Sequence, residues 1–164
     1  MTGDLTVRLA APVEYPAIGE LTLRAYAFDG FVDEEDDYAP KLRDAKSRGV
    51  DAELYVATCA DRVLGTVTYC PPGSRWRELA RPDEAEFRML AVDPVARGAG
   101  VGTLLVSAMI EQARDLGAAA VVLCSSTVML TAHRLYRRVG FQRLPDRDWS
   151  PVPGIDLAAF RLAL

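Results

Sequence analysis

The chain has 164 residues, half of them hydrophobic and 26% charged, with a net charge of −4. That is the length of one domain with a core of its own, and the mild acidity carries no basic stripe for nucleic acid. Three scattered cysteines and a single histidine, His133, argue against a disulfide framework, a histidine-based metal centre and a Ser/His/Asp triad.

"LTVRLA" (5–10) reads as an opening strand. Pro12 starts a helix with Ile18, Leu21, Leu23 and Ala25 as its apolar positions. The aromatic and acidic stretch "FDGFVDEEDDYAP" (28–40) connects to a short helix over 41–47 that stops near Gly49. "AELYVATC" (52–59) and "RVLGTVTYC" (62–70) form a hairpin turning at Ala60–Asp61. "PPGSRWRELARPD" (71–83) is a loop, and "EAEFRMLAVD" (84–93) is the next strand. The helix from Gly102 to Leu116 carries Leu104, Leu105, Ala108 and Met109 at helical spacing, and Gly117 ends it.

"AAVVLC" (119–124) is continuously apolar, as a strand covered on both faces should be. "TAHRLYRRVG" (131–140) is a helix with Ala132, Leu135, Tyr136 and Val139 on one face. His133 is expected to face away from that stripe, toward solvent. "FQRL" (141–144) and "IDLAAFRLAL" (155–164) close the sheet around the loop "PDRDWSPVPG". With no repeat and no linker, residues 1–164 read as one α/β or α+β domain. The opening residues carry no basic segment followed by an apolar one, and the apolar run from Ala99 to Ile110 is far short of the ~20 residues a membrane span needs. The expectation is a cytoplasmic protein with neither membrane nor nucleic-acid partners.

The informative stretch is "VDPVARGAGVG" (92–102), where a strand gives way to a helix through three glycines. The P-loop pattern fails for want of a lysine, and the dinucleotide fingerprint fails because Gly98, Gly100 and Gly102 stand two apart. The pattern that fits is R-x-x-G-x-G, with Arg97, Gly100 and Gly102. Unpaired amides and the dipole at such a helix start can hold a diphosphate if no side chain intervenes. Tight strand–helix packing is the competing use of the same glycines.

Four pieces in order, L-x-V-D-P, R-x-x-G-x-G, the buried strand after "LGA", and L-Y-x-x-x-G-F, resemble the GNAT superfamily of N-acetyltransferases. The resemblance implies a mixed, mostly antiparallel sheet flanked by helices, with a splayed parallel strand pair. It implies acetyl-CoA as donor and no metal, with the pyrophosphate on Arg97, Gly98, Ala99, Gly100, Val101, Gly102 and Thr103. The pantetheine arm would lie along Leu90, Ala91 and Val92 like an added strand.

By the same resemblance Tyr136 is the candidate acid for the leaving thiolate, a core tyrosine being the alternative. Glu86 is the candidate base, with Glu84 a weaker substitute. Strand alternation places Glu86 beside Arg88 and Leu90, so an ion pair with Arg88 is the structural alternative. A backbone N–H near Leu90 would support the oxyanion. Two positions depart from the family: Met129 replaces a common asparagine. Cys124 stands where N-terminal acetyltransferases of the ribosomal-protein type place a glutamate, and it reads as a buried, inert thiol.

The first helices and the 71–83 loop frame the acceptor side in that superfamily. Asp33 to Asp37 can draw in a cationic amine, or form a solvated loop. Phe28, Phe31, Tyr38 and Trp76 can shape an apolar slot. The reading is an N-acetyltransferase acting directly, in a ternary complex, on a primary amine of a small molecule; a homodimer is compatible with it. A protein or peptide N-acetyltransferase, a non-catalytic acyl-CoA sensor and another kind of nucleotide-binding protein stay open.

Overall fold

The computed structural model describes residues 3–164. Its strands are β1 Thr6–Leu9, β2 Glu53–Cys59, β3 Arg62–Tyr69, β4 Glu84–Val92, β5 Ala120–Ser126, β6 Gln142–Arg143, β7 Trp149–Val152 and β8 Ile155–Ala163. The helices are α1 Tyr15–Phe28, α2 Ala39–Arg43, α3 Ala45–Asp51, α4 Val101–Asp115 and α5 Leu130–Val139. The sheet runs β1-β2-β3-β4-β5-β8-β6, with β7 also on β8, and β4–β5 is its parallel pair.

The β2–β3 hairpin turns where the sequence places it. Ala60 and Asp61 both take positive φ (46° and 64°), the backbone of a type I′ turn. Two other elements are subdivided. The first helix opens with a 3-10 turn over Pro12–Glu14, and the helix expected over 41–47 is two helices broken at Asp44. Asp44 caps α3 by accepting from the Ser47 N–H.

Helices cover both faces. On one, α4 and α5 bury Leu105, Met109 and Tyr136 against Ala85, Phe87 and Phe160. On the other, α1 and α2 bury Leu23 and Leu42 with Cys70, Trp76 and Met89. Strand β4 serves both, and its phase changes partway. Met89 has φ 53°, and the β3 pairing jumps from Thr68↔Arg88 to Thr66↔Ala91. This bulge inserts one residue, so every side chain after it changes sides. Ala85 and Phe87 face α4, Met89 and Ala91 face α1, and Leu90 and Val92 return to the α4 side. The uniform alternation expected for Glu86, Arg88 and Leu90 therefore fails at Leu90.

The parallel pair is a wedge. β4 and β5 pair only at Glu84↔Ala120, Ala85↔Val121 and Glu86↔Val122, although β4 continues to Val92 and β5 to Ser126. Glu84 locks the closed end. Its carboxylate receives both terminal nitrogens of Arg147 (2.6 and 3.0 Å), Nε of Arg161 (3.3 Å) and the Arg81 N–H (3.0 Å). Burial alone would raise the carboxyl pKa, but these donors outweigh it and hold it at about 2.

Two expectations near the C-terminus are corrected. The stretch expected as loop contains a 3-10 turn over Pro145–Arg147 and strand β7. The helix α5 is rotated relative to its expected stripe: His133 is buried with Tyr136, while Leu135 and Val139 are only partly covered. Nε2 of His133 lies 3.2 Å from Ser125 Oγ, and its ring packs on Phe160 at 4.9 Å. A polar ring can take this place because the Ser125 hydroxyl pairs with it. Burial lowers its pKa and favours the neutral form.

Candidate active site

The glycine turn is set by what precedes it. Asp93, buried, accepts from the Val95 N–H (3.2 Å) and from Arg24 Nη2 (3.0 Å), fixing the 3-10 turn over Pro94–Ala96. Gly98 and Gly100 then take φ 80° and 82°, a conformation that penalises any residue with a Cβ. A Cβ on either would point into open space. Gly102 is different. It sits inside α4, and a Cβ there would approach Leu135 Cδ1 to 2.9 Å. Two of the glycines thus shape the turn, and the third lets α4 pack closely on α5.

The turn opens onto a cleft of about 820 Å³. Leu90, Ala91, Val92, Arg97, Gly98, Gly100, Val101, Gly102 and Thr103 all border it, while Ala99 packs against the core instead. The Arg97 guanidinium turns toward α1, donating to Asp29 Oδ1 (2.6 Å) and the Ala25 carbonyl (3.3 Å), over the Phe28 ring. Its side chain ties the turn to the first helix. Positive charge also reaches the cleft from α5, through Arg134 and Arg138. Their i, i+4 spacing on one face was the available signal.

Tyr136 stands within an aromatic cluster, its ring 6.2 Å from Phe87, 6.0 Å from Phe141 and 5.7 Å from Phe160. Burial raises its pKa, so the phenol stays protonated. Cys124, on β5 beyond the last β4–β5 pair, is half-buried. Its thiol is pushed up to about 11 by burial, which leaves no nucleophilic thiolate near neutrality.

On the other face the 71–83 loop folds back over β4, and Glu86 holds it there. The carboxylate, 1% exposed, accepts from three successive backbone N–H groups: Glu78, Leu79 and Ala80. Oε2 carries the shorter bonds (2.9 Å to Leu79 and Ala80), and Oε1 only one of 3.2 Å from Glu78. Glu86 therefore does not pair with Arg88. Arg88 Nη1 instead meets Glu78 Oε1 at 2.7 Å and donates to the Trp76 carbonyl at 3.2 Å. Trp76 is nearly buried against Leu23, Leu42 and Cys70, and the cationic groups of Lys41, Arg75 and Arg88 lie 5.5 to 5.8 Å from its ring. The acidic run is exposed, with Asp33 and Asp36 accepting from N–H groups of their own loop.

Residues 16–141 match the Acetyltransferase (GNAT) family. The chain belongs to the GNAT family of acetyltransferases. It is 34% identical to human N-acetyltransferase 8B over 90 residues, covering 55% of this chain and 38% of that protein. It is 36% identical to the Danio rerio N-acetylaspartate synthetase over 104 residues, covering 62% of this chain and 34% of that protein. The chain spans about half or less of the length of these curated relatives. Among solved structures, PaiA N-acetyltransferase from Thermoplasma acidophilum in complex with coenzyme A superposes with a TM-score of 0.78. The identity is 13%, over 98% of this chain and 99% of that one, a likeness of fold.

Within this GNAT fold the two departures noted in the sequence have structural consequences. Met129 borders the cleft and its sulfur lies 3.8 Å from Ser125 Oγ, so the turn into α5 is held by a soft contact. Cys124 leaves β5 without a carboxylate at the mouth of the wedge, so the carboxylates here are Glu86 and Glu78, from β4 and its loop. Among the described residues no cluster of three or more potential metal ligands is found, and no helix is long and apolar enough to cross a membrane.

Proposed function

We propose that this chain is an acetyl-CoA-dependent N-acetyltransferase acting directly on a primary amine of a small molecule, within one domain spanning residues 1–164. The observation that carries the reading is the cleft shared by the end of β4 and the start of α4. Leu90–Val92 and the helix-start amides border one cavity, and β4 and β5 separate just upstream of it. The residues present suit a diphosphate-bearing donor. Gly98 and Gly100 leave the approach to the first amides of α4 clear of side chains, and Arg134 and Arg138 add positive charge.

Acetyl-CoA, when bound, supplies a thioester carbonyl for the amine nitrogen to attack. A C–N bond forms, the C–S bond breaks, and the departing sulfur requires a proton. Tyr136 donates it, because burial keeps its phenol protonated at working pH. A backbone N–H near the Met89 bulge stabilises the oxyanion. Glu86 takes the proton released by the amine, through water at Oε1, the oxygen less occupied by loop amides.

Two observations support a small acceptor. The wall on the α1 side of β4 is pinned through Trp76 and the three amides on Glu86, so it forms a fixed surface for the acceptor. The relative named for N-acetylaspartate is an enzyme of a small-molecule product. The test is thiol release from acetyl-CoA against a panel of amines, polyamines, amino acids and peptides, with CoA binding by calorimetry. Acetylation of a small amine is the expected result. Tight CoA binding without thiol release from any acceptor would make the protein a sensor, and preference for peptide N-termini would move the acceptor class.

A further inference from the structure

Arg88 is the polar group best placed to read the acceptor, and the proposed function uses it for nothing. It is the second residue beyond Glu86, the last β4 residue paired to β5, so it emerges where the wedge opens. The Met89 bulge follows immediately, which leaves Arg88 on the α1 side with the loop. Its side chain is 13% exposed. Both of its close bonds run through Nη1, one to Glu78 Oε1 and one to the Trp76 carbonyl. A guanidinium has five N–H donors in a planar fork, and Glu78 meets it with one oxygen only.

The surroundings hold that fork in place. The guanidinium carbon lies 5.5 Å from the centre of the Trp76 ring, and the Tyr38 phenol stands beside the charge. Glu78 cannot drift away, because Glu86 fixes the backbone of 78–80. The charges around this spot include Glu78, Glu86, Lys41, the buried Arg48 and Arg75, the last also paired with Asp51 at 2.7 Å. Three residues of the acidic run have partners away from Arg88. Asp33 and Asp36 cap their own loop, and Glu34 lies 4.0 Å from Arg43.

We infer that the acceptor carries a carboxylate close to its amine, as an α-amino acid does, and that the open edge of Arg88 seats this carboxylate. Glu78, one bond from the same guanidinium, faces the ammonium before it loses its proton. A zwitterion matches this pair charge for charge, whereas a polyamine meets an arginine at the point where its second charge would sit. This rests on the acetyltransferase reading, and Arg88 is then a residue of specificity.

The experiment compares L-amino acids with their carboxamides, which keep the amine and lose the carboxylate, by thiol release from acetyl-CoA. For wild type, kcat/KM for the acid should exceed that for the amide by about 30-fold or more, mostly through KM. In Arg88→Gln that ratio should collapse toward one, and Arg88→Lys should restore part of it by returning the charge without the fork. Calorimetric CoA binding shows that each variant is folded; if one is not, the wild-type acid-to-amide ratio decides alone. A wild-type ratio near one, or a ratio unmoved by Arg88→Gln, overturns the inference while acetylation of other amines leaves the proposed function standing. Failure of every amine to release thiol overturns both.

Discussion

The glycine turn and the loop wall packed on β4 are built from different materials. The turn over residues 94–103 presents backbone: left-handed glycines, first-turn amides and a helix dipole, with its arginine side chain tied to Asp29 beside α1. The loop wall presents side chains: Arg88 on Glu78, Trp76 among cations, and a buried carboxylate holding three amides. A backbone site recognises what every donor shares, whereas a side-chain site recognises what distinguishes one acceptor from another. The contrast predicts that damage to the turn removes donor binding, while damage to the wall changes which acceptor is used.

The largest effect should come from Gly100→Val. Valine at φ 82° is strained wherever it points, and here its branch enters the cleft. Calorimetry should detect CoA affinity reduced by about 100-fold or more, as expected where helix-start amides carry an anion. A variant binding CoA as wild type does would remove the donor from this corner. Next in size is Tyr136→Phe, which keeps the packing with Phe87 and Phe160 and removes only the hydroxyl. Its kcat should fall by about 10²–10³-fold with the KM for acetyl-CoA little changed. An unaltered kcat would make the tyrosine a core residue.

Glu86→Gln probes the wall from inside. The amide nitrogen of glutamine would face N–H groups that now point at carboxylate oxygens, leaving buried donors unpaired at a cost of about 1–3 kcal/mol. For a chain of this length that lowers Tm by about 3–10 °C. If Glu86 is also the base, the pH–rate profile moves to higher pH. If the melting temperature drops and the profile stays in place, its role is to position the loop alone.

Glu84 closes the same strand and gives a test by pH. Its carboxyl is held at about 2 in the folded protein against an ordinary value of 4.5, so folding favours the ionised form. The stabilisation is complete above the unfolded value and disappears as pH falls from about 5 through about 2. Glu84→Gln should therefore melt a few degrees below wild type at pH 7, the gap narrowing across that acid window. A gap constant with pH would mean that Arg147 and Arg161 contribute through packing alone.

How much of this was legible follows the same division. The glycines and the order of elements are local patterns, legible because short-range sterics decide them, whereas Tyr136 stands out only through the family resemblance. The phase change of β4 was not legible, because nothing in "EFRMLAV" announces that a methionine will take positive φ. His133 was misplaced because a polar ring on a short helix reads as exposed until its partner Ser125, eight residues earlier on β5, is seen. Trp76 packs among apolar residues, and its three cations, from α2, the loop and β4, leave no sign in the sequence. Long-range pairing of this kind leaves no periodic trace.

Gly102→Ala sharpens the comparison at its finest scale, inside the glycine turn itself. Alanine suits the helical backbone of this position better than glycine does, by up to about 1 kcal/mol. Against that stands the 2.9 Å approach to Leu135 Cδ1, the far end of a flexible side chain that can shift. The two terms are of similar size and opposite sign, so Tm should change by no more than about 2–4 °C. The backbone N–H survives the substitution, and CoA affinity should stay within about threefold, small beside the loss expected at Gly100. If Gly102→Ala instead abolishes CoA binding while melting normally, its missing side chain serves the phosphate as much as the helix contact. The division between turn glycines and packing glycine would then have to be redrawn.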